Sequence, residues 1–284
     1  MTYKTLNLVA KVRYNSKCET AGGEAVMQVH ILASGSTGNV ALFKFGNTRI
    51  LVDVGISTRR IENKLALLGV RAGDLDGVLI THEHTDHIKG LDVFIRRYHL
   101  PVFARGATWE AIPCRDKLPA ECCNTIDKEF CIGGVALEAF SIPHDAADPV
   151  GFAFHYRQKK WVMATDIGMI TENILKALTG AQLAVLESNH DREMLINGPY
   201  PRFLKQRIMG RYGHLSNHDT ASILERIAPQ KQMQVFLAHL SQQNNNPTLA
   251  YNTVSQILAR KGCHPGEDIK LHLTYPDAIT SYRG

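Results

Sequence analysis

Apolar positions recur in short runs bounded by turn residues early in the chain. Residues 29–33, 40–45 and 49–54 read as strands, and Gly46-Asn47 supplies the turn between the last two. The pattern then lengthens to a helical period. Ser57 is placed to cap a helix running to about Leu68, and residues 87–98 read as a second helix. Between them, Gly77-Val78-Leu79-Ile80-Thr81 is a short apolar run of the kind that forms a buried strand. Further strands are predicted over 135–142, 150–156, 161–165, 183–187 and 234–238, with mostly helical sequence after Asp166. Ser216 with Asp219 three residues on resembles a capping box opening a helix through Ile227. Strands flanked by helices in both halves predict an α/β fold, two sheets packed face to face with helices outside. No linker, repeat or low-complexity tract interrupts residues 27–284, so one domain is expected. Residues 1–26 are polar, mixed and without period, and read as a poorly ordered N-terminal extension.

Composition narrows the class. Apolar residues make up 44% and charged residues 21% of 284, as in a globular enzyme with a sizeable core. No apolar run approaches the roughly 18 residues of a membrane span. Lys4, Lys11, Arg13 and Lys17 break up any secretory signal, so a cytoplasmic protein without a membrane partner is expected. Six cysteines with no framework spacing read as thiols in a reducing compartment. The net charge of +5 is compatible with an anionic substrate and does not require one.

The chemistry concentrates in Thr81-His82-Glu83-His84-Thr85-Asp86-His87. His82 and His84, two apart just past a strand end, point the same way in extended backbone and can share one cation. Asp86 and His87 follow where the chain enters a helix, and can serve a second. Imidazole nitrogen with carboxylate oxygen suits zinc; manganese favours the oxygens. A lone histidine is usually a core residue, but four ligand-type side chains within six positions are rarely that. His144, Asp166 and His239 each follow an apolar run directly, so each would project from the same edge of the sheets.

The H-x-H-x-D-H run with a downstream His, Asp and His in that order resembles the metallo-β-lactamase superfamily, over roughly residues 27–284. The resemblance implies an αββα sandwich binding two divalent ions, zinc or manganese. It would have His82, His84 and His144 hold one ion, Asp86, His87 and His239 the other, and Asp166 bridge them. Asp53, in Ile50-Leu51-Val52-Asp53-Val54-Gly55, matches the aspartate that orients such sites from behind the ligands. A hydroxide bridging the ions would be the nucleophile, with Asp86 at the catalytic centre.

The superfamily spans β-lactams, thioesters, phosphodiesters and nucleic acids, so fold alone does not choose the substrate. Three features lean toward phosphodiesters. In Ala33-Ser34-Gly35-Ser36-Thr37-Gly38-Asn39 the groups of Ser34, Ser36, Thr37 and Asn39 can face phosphate oxygens, though a polar hairpin turn fits the local sequence equally well. Glu187 and His214, in a Gly-His-Leu-Ser element, resemble a pair in ribonuclease Z-like enzymes; the resemblance implies that Glu187 orients His214, which protonates the leaving oxygen. A structural hydrogen bond is the competing reading. Between Arg192 and Arg211, Arg202, Lys205 and Arg207 are interleaved with Tyr200 and Phe203, which suits nucleic acid and also a solvated amphipathic helix. His190 and His218 read as supporting or surface residues. Taken together, these motifs are similar to the YycJ/WalJ group of metallo-β-lactamase-fold nucleases. That implies a 5′ exonuclease on DNA rather than RNA. A hydrolase of a small ester, such as a thioester or cyclic nucleotide, is the alternative. Only 73 positions separate Asp166 from His239, which leaves no room for the large inserted domain of ribonuclease J.

Overall fold

A computed structural model describes residues 26–227 and 231–284. Nearly all of the extension expected over residues 1–26 lies outside the described residues. The first sheet takes up β1 (Met27–Ala33), β2 (Val40–Phe45), β3 (Thr48–Val52), β4 (Gly77–Leu79), β5 (Val102–Ala104) and β6 (Cys123–Thr125) in chain order. The second holds β7 (Glu129–Ile132), β8 (Val135–Ser141), β9 (Val150–Tyr156), β10 (Lys159–Ala164), β11 (Leu183–Glu187), β12 (Met233–Ala238) and β13 (Ile269–Leu273). Finally, β14 (Thr280–Arg283) returns to the first sheet and pairs antiparallel with β1. Each sheet begins as an antiparallel meander and continues parallel, from β3 onward in one and from β10 onward in the other.

Strand side chains alternate between two cores, as the period of two requires. Phe43 and Phe45 of β2, Phe152 and Phe154 of β9 and Trp161 of β10 meet between the sheets. There the Phe43 and Phe154 rings stack with centroids 4.4 Å apart. The intervening residues face outward under helices. Leu42 and Leu51 pack beneath α1 (Thr58–Leu67), α3 (Leu91–Tyr98) and α4 (Gly106–Ala111). Val162, Leu186 and Leu237 pack beneath α5 (Glu172–Leu178), α8 (Asn217–Arg226) and α9 (Pro247–Arg260). The layers are therefore helix, sheet, sheet, helix. Strands covered on both faces read as nearly unbroken apolar runs, which is why they stood out in the sequence.

Two expectations are corrected. The helix read over 87–98 is two pieces, α2 (Thr85–Ile88) and α3, meeting at Gly90. The Gly90 backbone is pressed against the Val54–Ile56 segment; a Cβ there would lie 2.3 Å from the Ile56 carbonyl. Ser57 occupies the N-cap of α1, but its side chain accepts no cap hydrogen bond. The capping box is as expected: Ser216 and Asp219 bond each other's backbone N–H at the start of α8. Among the described residues no helix is long and apolar enough to cross a membrane.

Candidate active site

The functional side chains gather where the strands end. Asp53 follows β3, the run from Thr81 to His87 follows β4, and His144 follows β8. Asp166 follows β10, Glu187 closes β11, and His239 follows β12. Asp53, Asp166 and His239 hold left-handed backbone, with φ of 59°, 60° and 56°. Non-glycine residues seldom adopt that conformation, and it costs on the order of 1–3 kcal/mol where packing enforces it. All three sit at strand exits, where the chain must turn sharply to aim a side chain across the edge.

Among the described residues the site holds several overlapping groups of potential ligand atoms, one of them Asp166, Glu187, His214 and His239, and two match the sets expected from the sequence. One groups His82, His84 and His144; the other groups Asp86, His87 and His239, with ligand atoms in each lying within 4.8 Å of one another. Asp166 lies between them: its Oδ2 is 3.3 Å from His87 Nε2 and its Oδ1 is 3.9 Å from His144 Nε2. Each cluster draws on both sheets, since the run after β4 leaves the first sheet while His144 and His239 leave the second.

Most of the rings are held from behind by one nitrogen. Asp53 accepts from His87 Nδ1 at 2.8 Å and from the Thr81 backbone N–H at 2.9 Å. Thr81 Oγ1 also lies 3.0 Å from His82 Nδ1. His144 Nδ1 donates to the Gly213 carbonyl at 3.2 Å, and His239 Nδ1 donates to Glu187 Oε1 at 2.9 Å. What this leaves on the inner side is telling: His82 Nε2, His239 Nε2 and Asp166 Oδ2 are buried without a hydrogen-bond partner. Buried polar atoms are normally satisfied. Three converging orphans, each able to coordinate a cation once any proton it carries is displaced, fit divalent cations, and each anchored ring is the usual arrangement behind a metal.

Electrostatics agree. Burial opposes charge on Asp86, yet His87 and His239 hold its carboxyl well below the usual carboxylate range. Burial would lower His239, but Asp166, Asp86 and Glu187 outweigh it and push the ring up to about 10. His82, buried and facing other histidines, is lowered instead.

Glu187 is fully buried. Its Oε1 accepts from His214 Nδ1 at 2.9 Å and from the Asp166 N–H at 3.1 Å, and its Oε2 from Ile167 N–H at 2.8 Å and Leu215 N–H at 3.0 Å. With His239 this makes five donors on one carboxylate, far more than orientation of His214 alone. His214 and His239 keep it ionised against the cost of burial.

The remaining candidates divide. Ser34 and Asn39 are buried and turned inward: Ser34 Oγ accepts from the His239 N–H at 2.7 Å, and Asn39 Nδ2 reaches Asp86 Oδ2 at 3.3 Å. Ser36 and Thr37 are exposed, and Ser36 lines a cleft of about 260 Å³ above the cluster. Its far wall is Tyr200 with Leu204, Arg207 and Ile208 of α7 (Arg202–Ile208), one face at helical spacing. Arg202 and Lys205 lie on the other face, off the cleft wall, and Lys205 Nζ bonds the Ile196 carbonyl at 2.6 Å. Residues not singled out in the sequence also take part. Thr81 braces three site residues, Asp145 pairs with Arg207 at 2.6 Å, and Asn189 donates to the His239 carbonyl at 2.9 Å. Only Thr81 carried a signal, its place inside the histidine run.

Sequence comparison decides the family. The profile of the beta-lactamase superfamily domain matches residues 48–239. Exodeoxyribonuclease YycJ of Bacillus anthracis is 38% identical over 257 residues, covering 88% of this chain and 96% of that one. The chain belongs to the metallo-β-lactamase superfamily, in its YycJ/WalJ group. Exodeoxyribonuclease WalJ of Streptococcus pneumoniae is 36% identical over 255 residues, with 88% and 95% covered. Among solved structures, the metallo-β-lactamase fold protein YhfI of Bacillus subtilis superposes with a TM-score of 0.66 at 16% identity, over 91% of this chain and all of that one. As a metallo-β-lactamase superfamily member with this His/Asp cluster, the protein is a metal-dependent hydrolase.

Proposed function

We propose that this protein is a divalent-metal-dependent nuclease that removes nucleotides from the 5′ end of DNA in the cytoplasm. The observation that carries the reading is the Glu187–His214 pair beside the ligand clusters. His214 Nδ1 is tied to Glu187 at 2.9 Å while its ring lines the cleft, so its other nitrogen is free to carry a proton to a leaving oxygen. The similarity to two exodeoxyribonucleases over nearly nine-tenths of the chain supports DNA as substrate.

His82, His84 and His144 would hold one cation and Asp86, His87 and His239 a second, with Asp166 between them. Two divalent ions, zinc or manganese, would bring the pKa of a water toward neutrality and neutralise charge on the phosphate. The chain's own residues do the rest. Asp53 and Glu187 fix the His87 and His239 rings from behind. Ser34 and Asn39 brace His239 and Asp86. Arg207 and Ser36 flank the scissile phosphate in the cleft, and Arg207 is held in place by Asp145. Glu187 fixes His214 through Nδ1, so the ring's other nitrogen is the one turned to the leaving oxygen.

The test is digestion of 5′- and 3′-end-labelled DNA with Mn²⁺ or Zn²⁺, alongside RNA and a cyclic nucleotide. Release of mononucleotides from the 5′ end of DNA, lost in His84→Ala and Asp86→Ala, is expected. Hydrolysis of the cyclic nucleotide with DNA left intact would replace this reading by that of a small-ester hydrolase.

A further inference from the structure

A second cavity, of about 620 Å³, also reaches His214. Its walls are mainly apolar, including Met169, Ile170, Met209 and Leu215, with Arg192, Arg211 and Asp219 contributing charge. His214 lines both this cavity and the cleft that holds the ligand clusters. The cavity is built rather than incidental. Arg192 is fixed to Asp219 at 2.7 Å and to Ser216 Oγ at 3.1 Å. His190 forms part of the wall, is 3% exposed, and its Nδ1 has no hydrogen-bond partner. The His190 backbone clamps the segment after His214: its carbonyl accepts from Asn217 N–H at 2.9 Å.

We propose that this cavity receives the terminal nucleoside of the DNA strand, the part that departs with the leaving oxygen. The inference rests on the nuclease reading above and adds where the departing nucleotide is held. In an in-line displacement the attacking and leaving oxygens stand on opposite sides of phosphorus. The attacking water belongs with the ligand clusters, so the leaving oxygen faces the acid, His214. Whatever carries that oxygen lies beside His214, and this cavity reaches it there. At a 5′ end the leaving oxygen is O3′ of the terminal nucleotide. The water oxygen bonds phosphorus and one of its protons passes to solvent. The P–O3′ bond breaks, and O3′ takes the His214 proton, which is replaced from solvent. The products are a nucleoside 5′-monophosphate and a strand one nucleotide shorter with a new 5′-phosphate. The cavity's size falls within the roughly 300–1,000 Å³ of small-molecule pockets, and apolar walls with few polar groups suit the faces of a base. Read through such walls, a base contributes by contact rather than by sequence, which suits an enzyme that must accept each nucleotide in turn.

The experiment compares two 5′-phosphorylated single strands, identical except that the terminal nucleotide of one lacks its base. Bis-p-nitrophenyl phosphate is included as a small diester. The intact strand is expected to be cut with kcat/KM about tenfold or more above the abasic one, the size of apolar pocket discrimination. In Met209→Ala, and more so in the double variant with Ile170→Ala, that ratio should shrink toward one, mainly through the intact strand. Equal cleavage of both strands by the unaltered enzyme, with the small diester hydrolysed, would overturn the cavity's role and leave the nuclease reading standing. No hydrolysis of any of the three would remove both. A ratio that survives in both variants would place base recognition elsewhere and also count against the cavity.

Discussion

At the scale of single residues, the groups behind the metal ligands carry as much of the design as the ligands. Asp53 touches no cleft, yet it fixes His87 and receives Thr81. Substituting Asp53→Ala should lower metal affinity by about 10- to 100-fold, the usual cost of removing such a partner, as measured by calorimetric titration. An unchanged affinity would mean the His87 ring is held by packing alone. His214→Ala should separate differently: kcat falls by about 10²- to 10⁴-fold, the range for a lost general acid, while metal content by elemental analysis stays the same. Loss of metal from that variant would reassign His214 as a ligand. Gly55 shows how tightly the backbone is drawn in. A Cβ there would sit 1.7 Å from the Asp86 carbonyl, so Gly55→Ala should destabilise by about 1–3 kcal/mol in urea unfolding.

At the scale of elements, the sequence showed most clearly what is long, apolar and doubly covered. Most strands of the inter-sheet core were legible because both of their faces are packed; β7, with Glu129 exposed, was not. Short pieces such as β5 and β6 were not, since three residues cannot display a period; β4, equally short, was read only from the longer run over residues 77–81. Strand β14, partly exposed along its length, lacked the apolar contrast that marks a strand. The break between α2 and α3 was invisible because it depends on the Val54–Ile56 backbone, distant in sequence from Gly90. The site fared better. The residues that bear chemistry sit one or two positions past apolar runs, and that placement can be read from sequence. What they are braced against cannot. Five donors on Glu187 come from three separate segments, and nothing local in the sequence announces them. The capping box of α8 is a case where local sequence sufficed; Ser216→Ala should cost about 1 kcal/mol, measurable as a shifted urea midpoint. It should also loosen Arg192, which bonds the same hydroxyl.

For the molecule as a whole, proton and metal binding are linked. The His239 ring, pushed up to about 10 by three carboxylates, holds a proton at neutral pH when no metal is bound. A cation must displace that proton. Metal affinity should therefore rise with pH across the neutral range, by about tenfold per unit for each proton displaced, and binding should release protons. Calorimetry in buffers of different ionisation enthalpy measures this; a heat independent of buffer would contradict it. The same ring stabilises the metal-free fold fully below its ordinary value of 6.5, and that contribution fades as pH climbs toward 10. In chelator, the melting temperature should fall over that interval.

Because each ligand cluster takes residues from both β-sheets, a cation seated there acts as a clasp between the two layers at the very edge where the cleft opens. Closing it fastens the mouth of the sandwich; withdrawing it frees the strand exits on either side to move apart. At free metal one hundred times the dissociation constant, one such clasp adds about 2.7 kcal/mol of resistance to unfolding. The cell's metal supply would then govern not only whether the enzyme works but how long it survives proteolysis.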